Sequence, residues 1–173
     1  FHHDGQRRFA MPAAKTSPRP TRRRKFDIIL YGASGFVGRQ TVAYLAAHNR
    51  VHGDGLRWAL AGRDPDKLAL SRKAAGRGAS EAPIVIAAAD DGKALGQLAR
   101  QTTVMLSTAG PFALHGSALV QACVEQGTHY VDITGETPWV REMIDRHHAA
   151  AAAQGTRIIP LCGFDSVPSD LGV

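Results

Sequence analysis

The stretch Phe26-Asp27-Ile28-Ile29-Leu30-Tyr31-Gly32-Ala33-Ser34-Gly35-Phe36-Val37-Gly38 decides the fold. Its first six residues favour a β-strand, and they run without a spacer into glycines at 32, 35 and 38. A helical pattern follows, with Val37, Val42, Tyr44 and Ala46 among its positions and His48-Asn49 as its end. A glycine-rich turn between a strand and a helix is the arrangement that receives a dinucleotide pyrophosphate. Gly32 lets the chain turn off the strand, Gly35 carries no Cβ to obstruct the phosphates, and Gly38 lets the helix approach the sheet. The phosphates then meet free N–H groups and the positive end of the helix dipole. Gly32, Ser34, Gly35, Phe36, Val37 and Gly38 are therefore the predicted phosphate loop, with Ser34 adding a hydroxyl hydrogen bond. The plainer alternative, that these glycines only make a tight turn, needs fewer of them at this spacing.

Working outward, Leu56 to Ala61 reads as the next strand and ends in Gly62-Arg63-Asp64-Pro65. The end of the second strand meets the adenosine ribose, where an acid favours a free 2′-hydroxyl and an arginine favours a 2′-phosphate. Asp64 before Pro65 has the form of a helix N-cap with proline at N1, so its carboxylate is engaged by backbone N–H groups. Arg63 is left to pair with a phosphate and to lie over the adenine. The cofactor expected on these residues is NADP in preference to NAD; Arg63 as an ordinary solvated residue is the alternative.

The alternation continues through a helix over 65–75, a strand over 84–87, a helix opened by Asp90-Asp91, and a strand over 104–107. Thr108 to Phe112 form its exit loop. A helix over 116–125 closed by Gly127 comes next, then a strand over 129–132, a helix from Thr137-Pro138 to Gly155, and a strand over 157–161. Strands alternating with helices predict an α/β, Rossmann-like, doubly wound parallel sheet of six strands. Ligands on such a sheet bind beyond the carboxyl ends of the strands. Asp90 is placed either to meet the adenine amino group or to cap the following helix. Ala109, Gly110 and Pro111 bring small residues and backbone to the nicotinamide side, or else form a plain turn.

The net charge of +6 suggests a nucleic-acid binder until it is divided by region. Residues 1–25 hold eight of the 21 bases and one of the 15 acids, leaving thirteen bases against fourteen acids in 26–173. A basic body is excluded, and with it nucleic-acid binding by the folded part. Residues 1–25 mix prolines with Arg22-Arg23-Arg24-Lys25 and no apolar period, so they read as a disordered tail. A chain that opens on Phe-His-His has Met11 as its simplest start. Arg23-Arg24-Lys25-Phe26 faintly resembles a twin-arginine signal, but 26–38 is better explained as strand and loop. Cys123 and Cys162 are too few for a disulfide framework, which points to a reducing, cytoplasmic setting. Cys162 is expected to be a small buried hydrophobe. Gln101 to Val124 lacks charge, yet its Thr, Ser, Gly, Pro and His content excludes a membrane span. No metal site is expected, because His147 and His148 are adjacent on a helix and point apart.

Candidates for catalysis are Tyr130, Asp132, Glu136 and Asp165, at or after the ends of strands five and six, with Asp165 equally suited to hold its own loop. They form no recognisable set. Four residues after Tyr31, Tyr44 and Tyr130 stand Gly35, His48 and Thr134, so the Tyr-x-x-x-Lys pair of short-chain reductases is absent.

Gly32 to Gly38, Ala61-Gly62-Arg63, Ala109-Gly110-Pro111-Phe112, Tyr130 to Glu136 and above all Gly163-Phe164-Asp165-Ser166-Val167-Pro168-Ser169-Asp170-Leu171-Gly172 together resemble the saccharopine dehydrogenase-like oxidoreductases, including the trans-acting enoyl reductases. The resemblance covers 26–173. It implies an NADP-binding N-terminal domain, followed in the family by a second domain that helps form the substrate site and subunit contacts, here absent. A homodimer through that domain and a small-molecule or lipid-like substrate, imine or enoyl, are implied with it. Ser166, Pro168, Ser169 and Asp170 suit the cap and first turn of a helix, which predicts a piece of a longer protein, inactive alone. The rival reading is a non-catalytic NADP sensor or scaffold.

Overall fold

The computed structural model describes residues 23–53 and 55–172. Strand β1 (Phe26–Tyr31) is central, and the six-stranded sheet runs in the order β3-β2-β1-β4-β5-β6. The others are β2 (Trp58–Gly62), β3 (Ile84–Ile86), β4 (Thr102–Ser107), β5 (His129–Asp132) and β6 (Ile158–Ile159), and every pair is parallel. Sheets of this kind are covered on both faces, which explains why β1 and β2 read as continuous apolar runs.

Alternation sorts the side chains. Ile29 and Tyr31 of β1, with Ala59 and Ala61 of β2, enter one core, shared with α3 (Gly92–Ala99), α5 (Ser117–Gln126) and α6 (Thr137–Gln154). Leu30, Trp58 and Leu60 enter the other, against α1 (Phe36–His52) and α2 (Pro65–Ala74). The short helices α4 (Phe112–His115) and α7 (Val167–Leu171) follow β4 and β6. No helix among the described residues is long and apolar enough to cross a membrane; Gln101 to Val124 forms a strand, a turn and helices.

Several sequence expectations need correction. Helix α4 begins at the last residue of the predicted exit loop and fills the stretch before the helix predicted from 116, and a 3-10 turn at Gly76–Ala79 is additional. The sixth strand is two residues long, because Pro160 offers no N–H and Leu161 turns to a left-handed φ of 63°. The Thr137-Pro138 pair has the form of a cap followed by proline, but the N-cap position is Glu136 and no side chain caps α6. Ser166 occupies the N-cap of α7 without a side-chain bond. Cys162 is exposed and Cys123 is the buried thiol, because the chain leaves the sheet at Leu161. Arg24, assigned to the tail by its charge, is bound to the body. Its guanidinium donates to the carbonyls of Ala99 (3.2 Å) and Arg100 (2.7 Å) at the end of α3, and of Gln126 (2.7 Å) and Gly127 (3.4 Å) at the end of α5.

Candidate functional site

The carboxyl ends of β1, β2, β3 and β4 open into a cavity of about 480 Å³, lined among others by Gly32, Ser34, Gly35, Arg63, Asp90, Ala109 and Gly110. The strand order reverses beside β1, which places this cavity at the sheet's switch point. At its centre Gly32 has φ 83°, and a Cβ there would lie 2.8 Å from the Ala109 nitrogen. The Thr108 hydroxyl donates to the carbonyls of Tyr31 and Gly32, both at 3.2 Å, so the β4 exit is fastened to the glycine loop. A Cβ on Gly38 would stand 2.1 Å from the Gly32 oxygen, which makes this glycine a packing requirement. Gly35 is the exposed N-cap of α1, with no side-chain cap and no acid in the first turn. An uncapped helix start of this kind leaves N–H donors and a positive dipole end for an anion.

At the β2 end, the Asp64 carboxylate accepts from Lys67 N at 3.0 Å and caps α2 behind Pro65, as its sequence predicts. That bond, with help from the Lys67 ammonium, lowers its pKa. Arg63, one residue earlier, is exposed on the cavity wall. The two roles weighed for Asp90 separate: Asp91 caps α3 through Ala94 N (2.9 Å), and Asp90 lines the cavity. Tyr31 lies between these groups. Burial pushes its phenol up, Asp90 adds to the shift and Arg63 opposes it, while its hydroxyl donates to the Ala87 carbonyl at 3.3 Å.

Phe36, Val37, Gly38 and Pro111, also named from the sequence, do not line the cavity. Phe36 is 75% exposed, Gly38 is buried in the helix–sheet contact, and Pro111, after a cis peptide from Gly110, is the N-cap of α4. Ala88 and Ala89 on the wall lie just past β3, at a strand end where a ligand is expected, but Leu114 and His115, in the stretch before α5, were not pointed to by the sequence. No group of three His, Cys, Asp or Glu side chains suited to a metal occurs among the described residues.

The catalytic candidates take other places. Tyr130 and Asp132 are buried, at 0% and 1% exposure, and neither lines the cavity. The Tyr130 hydroxyl donates to Asp132 Oδ2 at 2.9 Å, and Asp132 Oδ1 accepts from Thr134 N (3.0 Å) and Leu161 N (3.1 Å). Burial pushes the Tyr130 phenol up strongly, with the Asp132 charge adding to it, and burial raises Asp132 in spite of its hydrogen bonds. Asp132 thus holds Leu161 in its left-handed turn. Asp165 is exposed and does not bond its own loop; its carboxylate lies beside Gly163 and Gly135. Glu136 Oε1 accepts from Phe112 N at 2.6 Å and Oε2 from Ala113 N at 2.9 Å.

An all-parallel sheet in this order, with an uncapped helix start and a glycine turn at the switch point, defines a dinucleotide-binding domain of the Rossmann type. The family model for the saccharopine dehydrogenase NADP binding domain matches residues 28–159, and the chain belongs to that family. It is 46% identical over 151 residues to a trans-acting enoyl reductase of Mycobacterium leprae, covering 87% of this chain and 35% of that protein. A lipid droplet localized protein of Caenorhabditis elegans is 40% identical over 154 residues, covering 86% and 35%. The chain therefore spans about a third of the length of these relatives. Among solved structures, apo saccharopine dehydrogenase (L-Glu forming) of Saccharomyces cerevisiae superposes with a TM-score of 0.65 at 21% identity, covering 82% of this chain and 28% of that one; the fold is shared.

Proposed function

We propose that this chain is the NADP-binding part of a reductase in which a hydride passes between the nicotinamide and an imine or enoyl substrate, with a small or lipid-like molecule as the acceptor. The observation that carries the cofactor reading is the division of labour at the end of β2. Asp64 is consumed by the α2 cap, so the adjacent exposed Arg63 is the charged group facing the ribose position. Arg63 pairs with the 2′-phosphate, Asp90 receives the adenine amino group, and the uncapped N-terminus of α1 with the Ser34 hydroxyl holds the pyrophosphate. Ala109 and Gly110, on the β4 side of the glycine loop, bring backbone against the nicotinamide half. When bound, the cofactor supplies the hydride; these residues bind and orient it. Relatives named as enoyl reductases support the reductase reading over a sensor.

Titration of NADPH and NADH into the full chain, followed by nicotinamide fluorescence, tests it. NADPH binds more tightly, and R63A loses about tenfold or more in NADPH affinity, the scale of a charged hydrogen-bonded contact, with NADH little changed. Equal binding of the two cofactors by the native chain refutes the Arg63 assignment.

A further inference from the structure

The residues 130, 132, 134 and 136 form a continuous polar ladder that leads out of the sheet. Tyr130 donates to Asp132, Thr134 N donates to Asp132, Glu136 N donates to the Thr134 hydroxyl at 3.0 Å, and Glu136 receives Phe112 N and Ala113 N on its two carboxylate oxygens. Its far end is the first turn of α4, which no side chain of its own caps. That helix has no strength of its own at four residues. It is held by the Glu136 carboxylate and by packing: Phe112 meets Trp139 at 5.7 Å between ring centres, and the Trp139 indole N–H donates to Ser117 at 2.9 Å. Leu114 and His115 of α4, and Ala109 and Gly110 just before it, line the cavity on the β4 side of the glycine loop. Arg63 and Asp90 line it on the β2–β3 side.

We infer that Glu136 is a positioning residue for the nicotinamide half of the cofactor: its bidentate grip on Phe112 and Ala113 sets the 109–115 wall without touching the cofactor itself. The inference rests on the NADP reading above. A carboxylate that accepts two backbone N–H groups fixes both the position and the tilt of the turn, and a charged acceptor makes the stronger kind of hydrogen bond. An amide in its place offers one acceptor and turns two N–H donors toward the second N–H.

The test separates the two halves of the ligand. The native chain and E136Q are titrated calorimetrically with NADPH and with adenosine 2′,5′-bisphosphate, which occupies only the adenosine side. E136Q loses about tenfold in NADPH affinity, ~1.4 kcal/mol, and binds the bisphosphate within about twofold of the native chain. E136D keeps the charge, loses the reach and falls between the two, and it decides the matter by the same titrations if E136Q does not fold. An equal loss for both probes makes Glu136 a general stabiliser and overturns the inference, as does an unchanged NADPH affinity. Failure of the native chain to bind either probe overturns the NADP reading instead.

Discussion

Replacing Arg24 by alanine removes one guanidinium that closes two helices at once. Among its acceptors are the carbonyls of the last residue and the C-cap of both α3 and α5, which have no partner within their helices. Two of the bonds are short, at 2.7 Å, and two are longer, at 3.2 and 3.4 Å. Water replaces part of what is lost, since the contact to Arg100 is exposed. Taking about 1 kcal/mol for each short bond and a few tenths for each helix end relieved of its dipole gives about 2–3 kcal/mol. For a domain of this size that is a fall in Tm of roughly 5–10 °C. Thermal unfolding followed by circular dichroism measures it, with R23A, at an exposed neighbouring position, as the control that leaves Tm within about 1 °C. R24K keeps the charge but not the four-acceptor span, so it recovers only the dipole part, and that part shrinks with added salt. An R24A variant as stable as the native chain refutes the clamp and returns Arg24 to the tail.

Two further perturbations follow from the geometry. Gly38→Ala puts a methyl 2.1 Å from the Gly32 oxygen and 2.9 Å from Ala33 backbone atoms, none of which is the end of a flexible side chain; the cost is about 3 kcal/mol, read as a lower urea midpoint, and an unchanged midpoint rejects the close helix–sheet contact. Asp132 has its pKa raised by burial above the ordinary 3.8. A raised carboxyl holds its proton more tightly when folded, so its contribution is full below 3.8 and is lost as pH rises through the raised value. The stability of the native chain relative to D132N therefore improves as pH falls from neutrality toward 3.8, and urea midpoints across that range check the sign.

Local patterns carried most of the fold. The runs 26–31 and 129–132 became β1 and β5 with those bounds, because β-favouring residues bounded by turn signals mark a strand without reference to its partners. Asp64-Pro65 was legible for the same reason, a cap being a bond between neighbours. What escaped were features made at a distance. Ala113 and Leu114 favour a helix, but four residues are too few to hold one; it exists because Glu136 and Trp139, more than twenty positions later, hold it. Leu161 ends β6 early because a carboxylate on another strand takes its N–H. Cys162 then faces solvent, where adjacency to a strand had suggested burial.

The same distance effect explains why the strand-end acids were read as catalytic. A carboxylate just past a parallel strand can face the ligand crevice or can tie neighbouring loops together, and composition is blind to the choice. Here the bonds decide: Asp132 accepts from Tyr130, Thr134 and Leu161, and Glu136 from Phe112 and Ala113, so their lone pairs are turned to the protein. The cavity wall at the β4 side is left to Thr108, Ala109, Gly110, Leu114 and His115. Of these the Thr108 hydroxyl is itself engaged with Tyr31 and Gly32. Backbone, small residues and the Leu114 and His115 side chains thus make the surface, and Glu136 behind it holds the first turn of α4 in place. On the positioning role proposed for Glu136, a change there, or at Thr134 behind it, acts through α4 alone, so the two halves of the cofactor are expected to respond to it separately.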